Sequence, residues 1–176
     1  MVGHSNLGVA DALRIQEQQG RLSYYGIRHE GAAAFACSAY GKLTGRPAAC
    51  LSIAGPGATN LLTGLWDANV DRAPVLALTG QVDTQVLGPG AFQEVDLSAA
   101  FGKVARWSQT VLPGSRHAEL VNLASELLAV ERTDETGATL ALGDLHACGP
   151  QLFGQPLCRF ELAERQLCIL VEPDEQ

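Results

Sequence analysis

The stretch Ala48-Ala49-Cys50-Leu51-Ser52-Ile53-Ala54-Gly55-Pro56-Gly57-Ala58-Thr59-Asn60 decides the fold class. Ala48 to Ala54 is an apolar run without regular polar alternation, the pattern of a strand covered on both faces. Gly55-Pro56-Gly57 then turns the chain into a predicted helix over 58–69. Pro74 to Leu78 repeats the buried-strand pattern and ends in Thr79-Gly80-Gln81. Upstream, Leu7 to Gln19 places Leu7, Ala10 and Leu13 on one helical stripe, and Gly20 stops it. Tyr24 to His29 reads as a short strand. Gly31 to Tyr40 reads as a helix whose small side chains allow another element to pack close, and 41–47 reads as a turn. Downstream come a loop over 86–92, a helix over 94–104, a strand over 107–112 and an amphipathic helix over 117–130. Apolar strands alternating with helices predict an α/β fold, a parallel sheet flanked by helices.

Composition narrows the function. The chain has 176 residues, 47% of them hydrophobic, so a packed core is within reach. Its net charge is −7. An acidic chain lacks the basic face that nucleic-acid binding needs, so no nucleic-acid partner is expected. Without an apolar run of 18 residues, no membrane span is expected either. The five cysteines fit neither a disulfide framework nor a zinc spacing, which suggests a reduced, cytoplasmic protein with Cys37 and Cys50 as buried thiols. Residues 1–130 carry a net charge of −1 and residues 131–176 a net charge of −6. The chain therefore divides into 1–130 and a divergent acidic tail at 131–176, where strands at 138–142 and 167–171 are possible.

Three local signals could carry chemistry. Gly55, Pro56, Gly57 and Asn60 form a glycine turn between a buried strand and a helix, where backbone can approach a ligand closely. A plain tight turn is the simpler reading. A dinucleotide site would want a third glycine where Asn60 stands and an acid about 20 residues on; Asp71 and Asp83 are poorly placed for that. Glu30 is the second signal, at the carboxyl end of a strand, where open α/β sheets gather ligands. Flanked by Gly31-Ala32-Ala33-Ala34, its carboxyl is expected to be poorly solvated, which favours the protonated acid and suits proton exchange near neutrality. A solvated edge of Arg28, His29 and Glu30 is the alternative. The third signal is the loop from Leu87 to Gln93, followed by Glu94, which could close over a ligand or be a surface connection.

The order of these signals is itself informative. Gly3-His4-Ser5-Asn6-Leu7, Gly26-Ile27-Arg28-His29-Glu30-Gly31-Ala32-Ala33, Ala39-Tyr40-Gly41-Lys42-Leu43-Thr44-Gly45, Ser52 to Asn60, Pro74 to Gln81 and Phe92-Gln93-Glu94 follow one another. Together they resemble the pyrimidine-binding (PYR) domain of thiamine diphosphate enzymes, in the group of acetolactate synthase and pyruvate oxidase. The resemblance covers residues 3 to about 130.

It implies a role for each signal. Glu30 would be the catalytic glutamate that hydrogen-bonds a ring nitrogen of the aminopyrimidine. Gly55, Pro56, Gly57 and Asn60 would shape the wall beside that ring, and Phe92 and Gln93 would face the substrate. The cofactor would be thiamine diphosphate, in an enzyme acting on 2-oxo acids such as pyruvate. Family members hold the diphosphate and magnesium on a pyrophosphate-binding domain with a Gly-Asp-Gly motif and a downstream Asn, usually from another subunit. Here Gly143-Asp144 is followed by Leu145, so no metal ligands are assigned in this chain. Magnesium is expected only on a partner, either a pyrophosphate-binding domain or a full-length relative in a homo- or hetero-oligomer.

The resemblance also implies that 1–130 is a partial PYR domain lacking its first strand and helix, and that the chain is incomplete as a catalyst on its own. Leu167 to Glu175 would match the last PYR strand, making 136–166 an insertion; unrelated sequence in the tail is the alternative. Two other functions stay open: a non-catalytic remnant or regulatory subunit pairing with a full-length relative, and a nucleotide-binding α/β domain.

Overall fold

The computed structural model describes residues 1–112, 115–129, 139–145 and 168–170. Among these residues, six strands form one sheet: β1 (Ser23–Tyr25), β2 (Ala48–Ser52), β3 (Val75–Gly80), β4 (Trp107–Ser108), β5 (Thr139–Leu145) and β6 (Cys168–Leu170). Their spatial order is β1-β6-β2-β3-β5-β4, and every pairing is parallel. The predicted class therefore holds. Both tail segments supply strands, β5 beside β3 and β6 between β1 and β2. The remainder of the tail, including Cys148, Cys158 and Pro173 to Glu175, lies outside the described residues, as does Val130.

Among the described residues, six α-helices cover the sheet: α1 (Leu7–Gln18), α2 (Glu30–Thr44), α3 (Pro56–Thr59), α4 (Leu62–Val70), α5 (Leu97–Phe101) and α6 (His117–Ala129). Residues alternate along β2 and β3 between two cores. Ala48, Cys50, Val75 and Ala77 pack with α2, α4 and α5. Ala49, Leu51, Leu76 and Leu78 pack with Val9 and Leu13 of α1 and Ala124 of α6. Both strands are buried throughout, as the unbroken apolar runs require.

Several boundaries differ from expectation. The strand expected over 24–29 keeps its ladder only from Ser23 to Tyr25. Residues 41–44, expected in a turn, continue α2. At Gly41 a Cβ would lie 2.9 Å from Pro74 Cδ, so this glycine permits close packing instead of ending the helix. Gly45, at φ 63°, is the actual stop. The helix expected over 58–69 is two pieces, α3 and α4. The helix expected over 94–104 shortens to α5, and the strand over 107–112 to β4.

The small residues of α2 do bring a neighbour close. At Gly64 of α4 a Cβ would stand 2.5 Å from Ala34 Cβ and 2.7 Å from the Phe35 backbone nitrogen. A polar clamp ties the same two helices. Asp67 Oδ2 accepts from Ser38 Oγ and from Lys42 Nζ, each at 2.7 Å, and Lys42 Nζ also pairs with Asp71 at 2.5 Å. The Lys42 ammonium, then the Ser38 hydroxyl, hold the Asp67 carboxyl below the usual carboxylate range. Asp67 and then Asp71 raise the Lys42 ammonium in turn. A depressed acid contributes stability above its ordinary range and loses it as pH falls through the depressed value. The melting temperatures of the wild type and Asp67→Asn should therefore differ by a constant amount near neutrality and converge in acid. A gap that persists below the carboxylate range would show that the charge of Asp67 is not what clamps the helices.

Candidate functional site

The carboxyl ends of the strands bring the sequence signals together. Glu30 opens α2, just after β1. His29 caps that helix, its Nδ1 accepting from Gly31 N at 3.1 Å. The cap fixes the direction of the first turn, and the Glu30 side chain is turned inward, only 5% exposed. Asn60 Nδ2 donates to Glu30 Oε2 at 3.1 Å. The other oxygen faces Gly57, where a Cβ would stand 3.1 Å from Glu30 Oε1 and 2.9 Å from Ser52 Oγ. Ser52 is fully buried, and its hydroxyl has no hydrogen-bond partner among the described residues. Ile53 Cγ1 would stand closer still, at 2.6 Å, so two polar groups and one apolar side chain fill the space that a side chain at 57 would need. Of the two readings of Glu30, the solvated edge is excluded.

The turn at 55–57 is built around glycine. Gly55 has φ 67° and ψ −128°, a conformation essentially confined to residues without a side chain. A Cβ there would also stand 2.8–2.9 Å from Cβ, Cα and O of Gln93. The backbone of the 86–93 loop is therefore seated directly on the turn. The following helix α3 is only four residues long, too short to develop much of a macrodipole. Its shortness disfavours a phosphate site at the turn and so weakens the nucleotide alternative.

The segment Met1 to Asn6 crosses the same sheet edge. Met1 N donates to Leu51 O at 3.2 Å, and Ala54 N donates to Ser5 Oγ at 3.0 Å. Asn6 is buried, accepting from Gly3 N at 2.9 Å and donating to Met1 O at 3.0 Å. The opening motif thus braces the ends of β2 and the 52–57 segment.

On the third side, Gln81 ties the loop base to β3. It is buried, and its Nε2 donates to Val95 O at 2.8 Å. Glu94, which follows the loop, turns back on it. Its carboxylate accepts from Gly88 N at 2.6 Å, Ala91 N at 2.8 Å and Gly90 N at 2.9 Å. Those amides, Gly88 first, hold the carboxyl below the usual carboxylate range. Phe92 stands 89% exposed at the loop tip, and Gln93 is half-buried against Gly55. Glu30, Gly55, Gly57 and Asn60 thus come together, Gln93 meets them through Gly55, and Phe92 projects outward. Sequence reasoning missed Ser52, Gln81 and the anchoring role of Glu94. Ser52 and Gln81 did leave a signal, as polar residues within or at the end of buried strands.

Comparison with known proteins identifies the family. Residues 1–100 match the family described as thiamine pyrophosphate enzyme, N-terminal TPP binding domain. The chain is 46% identical over 125 residues to acetolactate synthase of Arthrospira platensis, covering 71% of this chain and 20% of that protein. It is 35% identical over 138 residues to the acetolactate synthase large subunit of Cyanidium caldarium, covering 78% and 23%. Against acetolactate synthase of Mycobacterium bovis it is 37% identical over 120 residues, covering 68% and 19%. The chain spans about a fifth of the length of these relatives. A match over residues 1–100, more than half of the chain, establishes that it belongs to the thiamine pyrophosphate enzyme family through the N-terminal TPP binding domain.

Proposed function

We propose that this chain binds the aminopyrimidine ring of thiamine diphosphate and supplies, through Glu30, the carboxyl that activates it in an enzyme acting on 2-oxo acids. One observation carries the reading. Glu30 is buried at the start of α2, tethered by Asn60 through one oxygen, with the other oxygen beside Gly57. The donor set suits such a ring. Gly57 lets Glu30, Ser52 and Ile53 close up against the turn, and the buried carboxyl of Glu30 and hydroxyl of Ser52 give the site the polar atoms that a ring nitrogen and an amino group need. When bound, the cofactor supplies a carbon nucleophile that adds to the carbonyl of a 2-oxo acid.

The chain's own residues do the rest. Glu30 holds or releases a proton at Oε1, toward the ring nitrogen. Asn60 fixes the carboxyl plane by donating to Oε2, which leaves Oε1 as the oxygen that addresses the ring. Burial keeps bulk water from competing for it. Gly55 lets the Gln93 backbone seat against the turn, placing the 92–93 segment at the rim on the substrate side.

Magnesium and the diphosphate are held by a pyrophosphate-binding domain on a partner subunit, in a homo- or hetero-oligomer. The buried free thiols Cys37 and Cys50 suit a reducing, cytoplasmic compartment. Calorimetry on the chain mixed with a separately produced pyrophosphate-binding domain tests the reading. Heat of binding is expected with thiamine diphosphate and magnesium and absent with NAD. Binding of NAD alone would overturn it.

A further inference from the structure

Glu94 has a part in this site that family membership does not assign. We propose that Glu94 is a positioning residue: by gathering the backbone amides of Gly88, Gly90 and Ala91, its carboxylate holds Gln93 in a left-handed conformation seated on Gly55. The proposal rests on the reading of the 55–60 turn as the ring-binding wall. Gln93 has φ 67°, and a residue with a side chain adopts such a conformation only when its surroundings impose it. Its neighbours supply the constraint. Immediately after it, Glu94 accepts three amide hydrogen bonds from the preceding six residues, and its own N donates to Ala91 O at 2.9 Å. These bonds close the loop into a ring around one carboxylate. Gly88 and Gly90, at φ 111° and 83°, have backbone conformations that allow their amides to turn inward. Gln81, binding Val95 O, fixes the chain on the other side of Glu94. Gln93 therefore lies between two anchored points, with Cβ, Cα and O within 3 Å of the position a Gly55 Cβ would take.

A test on the full chain without cofactor separates this proposal from the thiamine reading. In the wild type, the amides of Gly88, Gly90 and Ala91 are expected to exchange with deuterium at least tenfold more slowly than random-coil rates. Exchange at random-coil rates would overturn the proposal without any variant being made. In Glu94→Gln, an amide offers only one acceptor oxygen, so exchange at these three positions should accelerate and the nuclear Overhauser contact between Gln93 and Gly55 should weaken. The helix amides of α4 should keep their wild-type rates.

A residue that merely filled space would behave in the same way, so the deciding variant is the double substitution Glu94→Gln with Gln93→Gly. Glycine occupies φ near +67° without steric cost. The contact at Gly55 should therefore return even though the 88–91 amides stay unprotected. Failure of the glycine to restore it, or an unaltered contact in the single variant, refutes the positioning role. Thiamine diphosphate affinity can then be measured on the same variants. Loss of protection without loss of affinity would leave the ring-binding site in place and show the loop geometry to be irrelevant to the cofactor.

Discussion

Glu30→Gln is expected to leave the chain folded and to cut turnover of a 2-oxo acid by roughly 10²–10⁴-fold, the range for loss of a positioned acid–base group. The assay is reconstitution with a pyrophosphate-binding domain, with initial rates compared at saturating thiamine diphosphate. The substitution is nearly isosteric. Its amide oxygen can still accept from Asn60, so the tether seen at 3.1 Å survives. What disappears is the ability to take and return a proton on the oxygen beside Gly57. The amide fills the same volume at a site only 5% exposed, so the melting temperature should hold. Glu30→Ala is a poorer test, because it also leaves Asn60 without its partner. Wild-type turnover in Glu30→Gln would exclude the carboxyl from the chemistry.

Gly64→Ala is expected to destabilise the fold, against helix propensity. Propensity alone favours alanine over glycine by about 1 kcal/mol within a helix. Here the added methyl meets Ala34 Cβ at 2.5 Å, the Phe35 nitrogen at 2.7 Å and the Ala34 carbonyl carbon at 2.9 Å. Two of the three are backbone atoms of α2 and cannot rotate aside, so the helices must move apart. Overpacking costs about 1–3 kcal/mol, and a rigid obstacle puts this site at or beyond the top of that range. A net loss of about 2 kcal/mol corresponds to a fall in melting temperature of about 4–8 °C for a chain of this size. The change also reaches the site, since α2 carries Glu30 and α4 follows Asn60. A raised melting temperature would mean that the two helices do not meet so closely.

The parts of the fold that could be read early were those whose pattern is set by burial alone. β2 and β3 lie between two layers of helix, so nearly every side chain is apolar, and the runs at 48–54 and 74–78 announce it. α1 and α6 each bury one stripe, which the 3.6-residue period reveals. Features that depend on a distant partner were not legible. Gly41 suggests a helix end until Pro74 is seen against it. The break between α3 and α4 has no proline or glycine at Asn60 or Leu61 to mark it. At the site, Glu30 and the glycine turn were legible because a carboxylate after a strand and a strand–Gly-x-Gly–helix junction are local features. The role of Glu94 was not, because gathering three amides depends on the path of a loop that composition leaves open.

The place of β6 has a consequence for how the molecule is made. β1 pairs with β6, whose residues follow it by nearly 150 positions, and has no ladder to β2. During translation, the ribosome must therefore deliver the chain as far as Leu170 before Ser23 to Tyr25 can dock on β6. Until then the exposed flank of β2 stays open to mispairing, so nascent chains that stall before Cys168 are prime candidates for capture by chaperones.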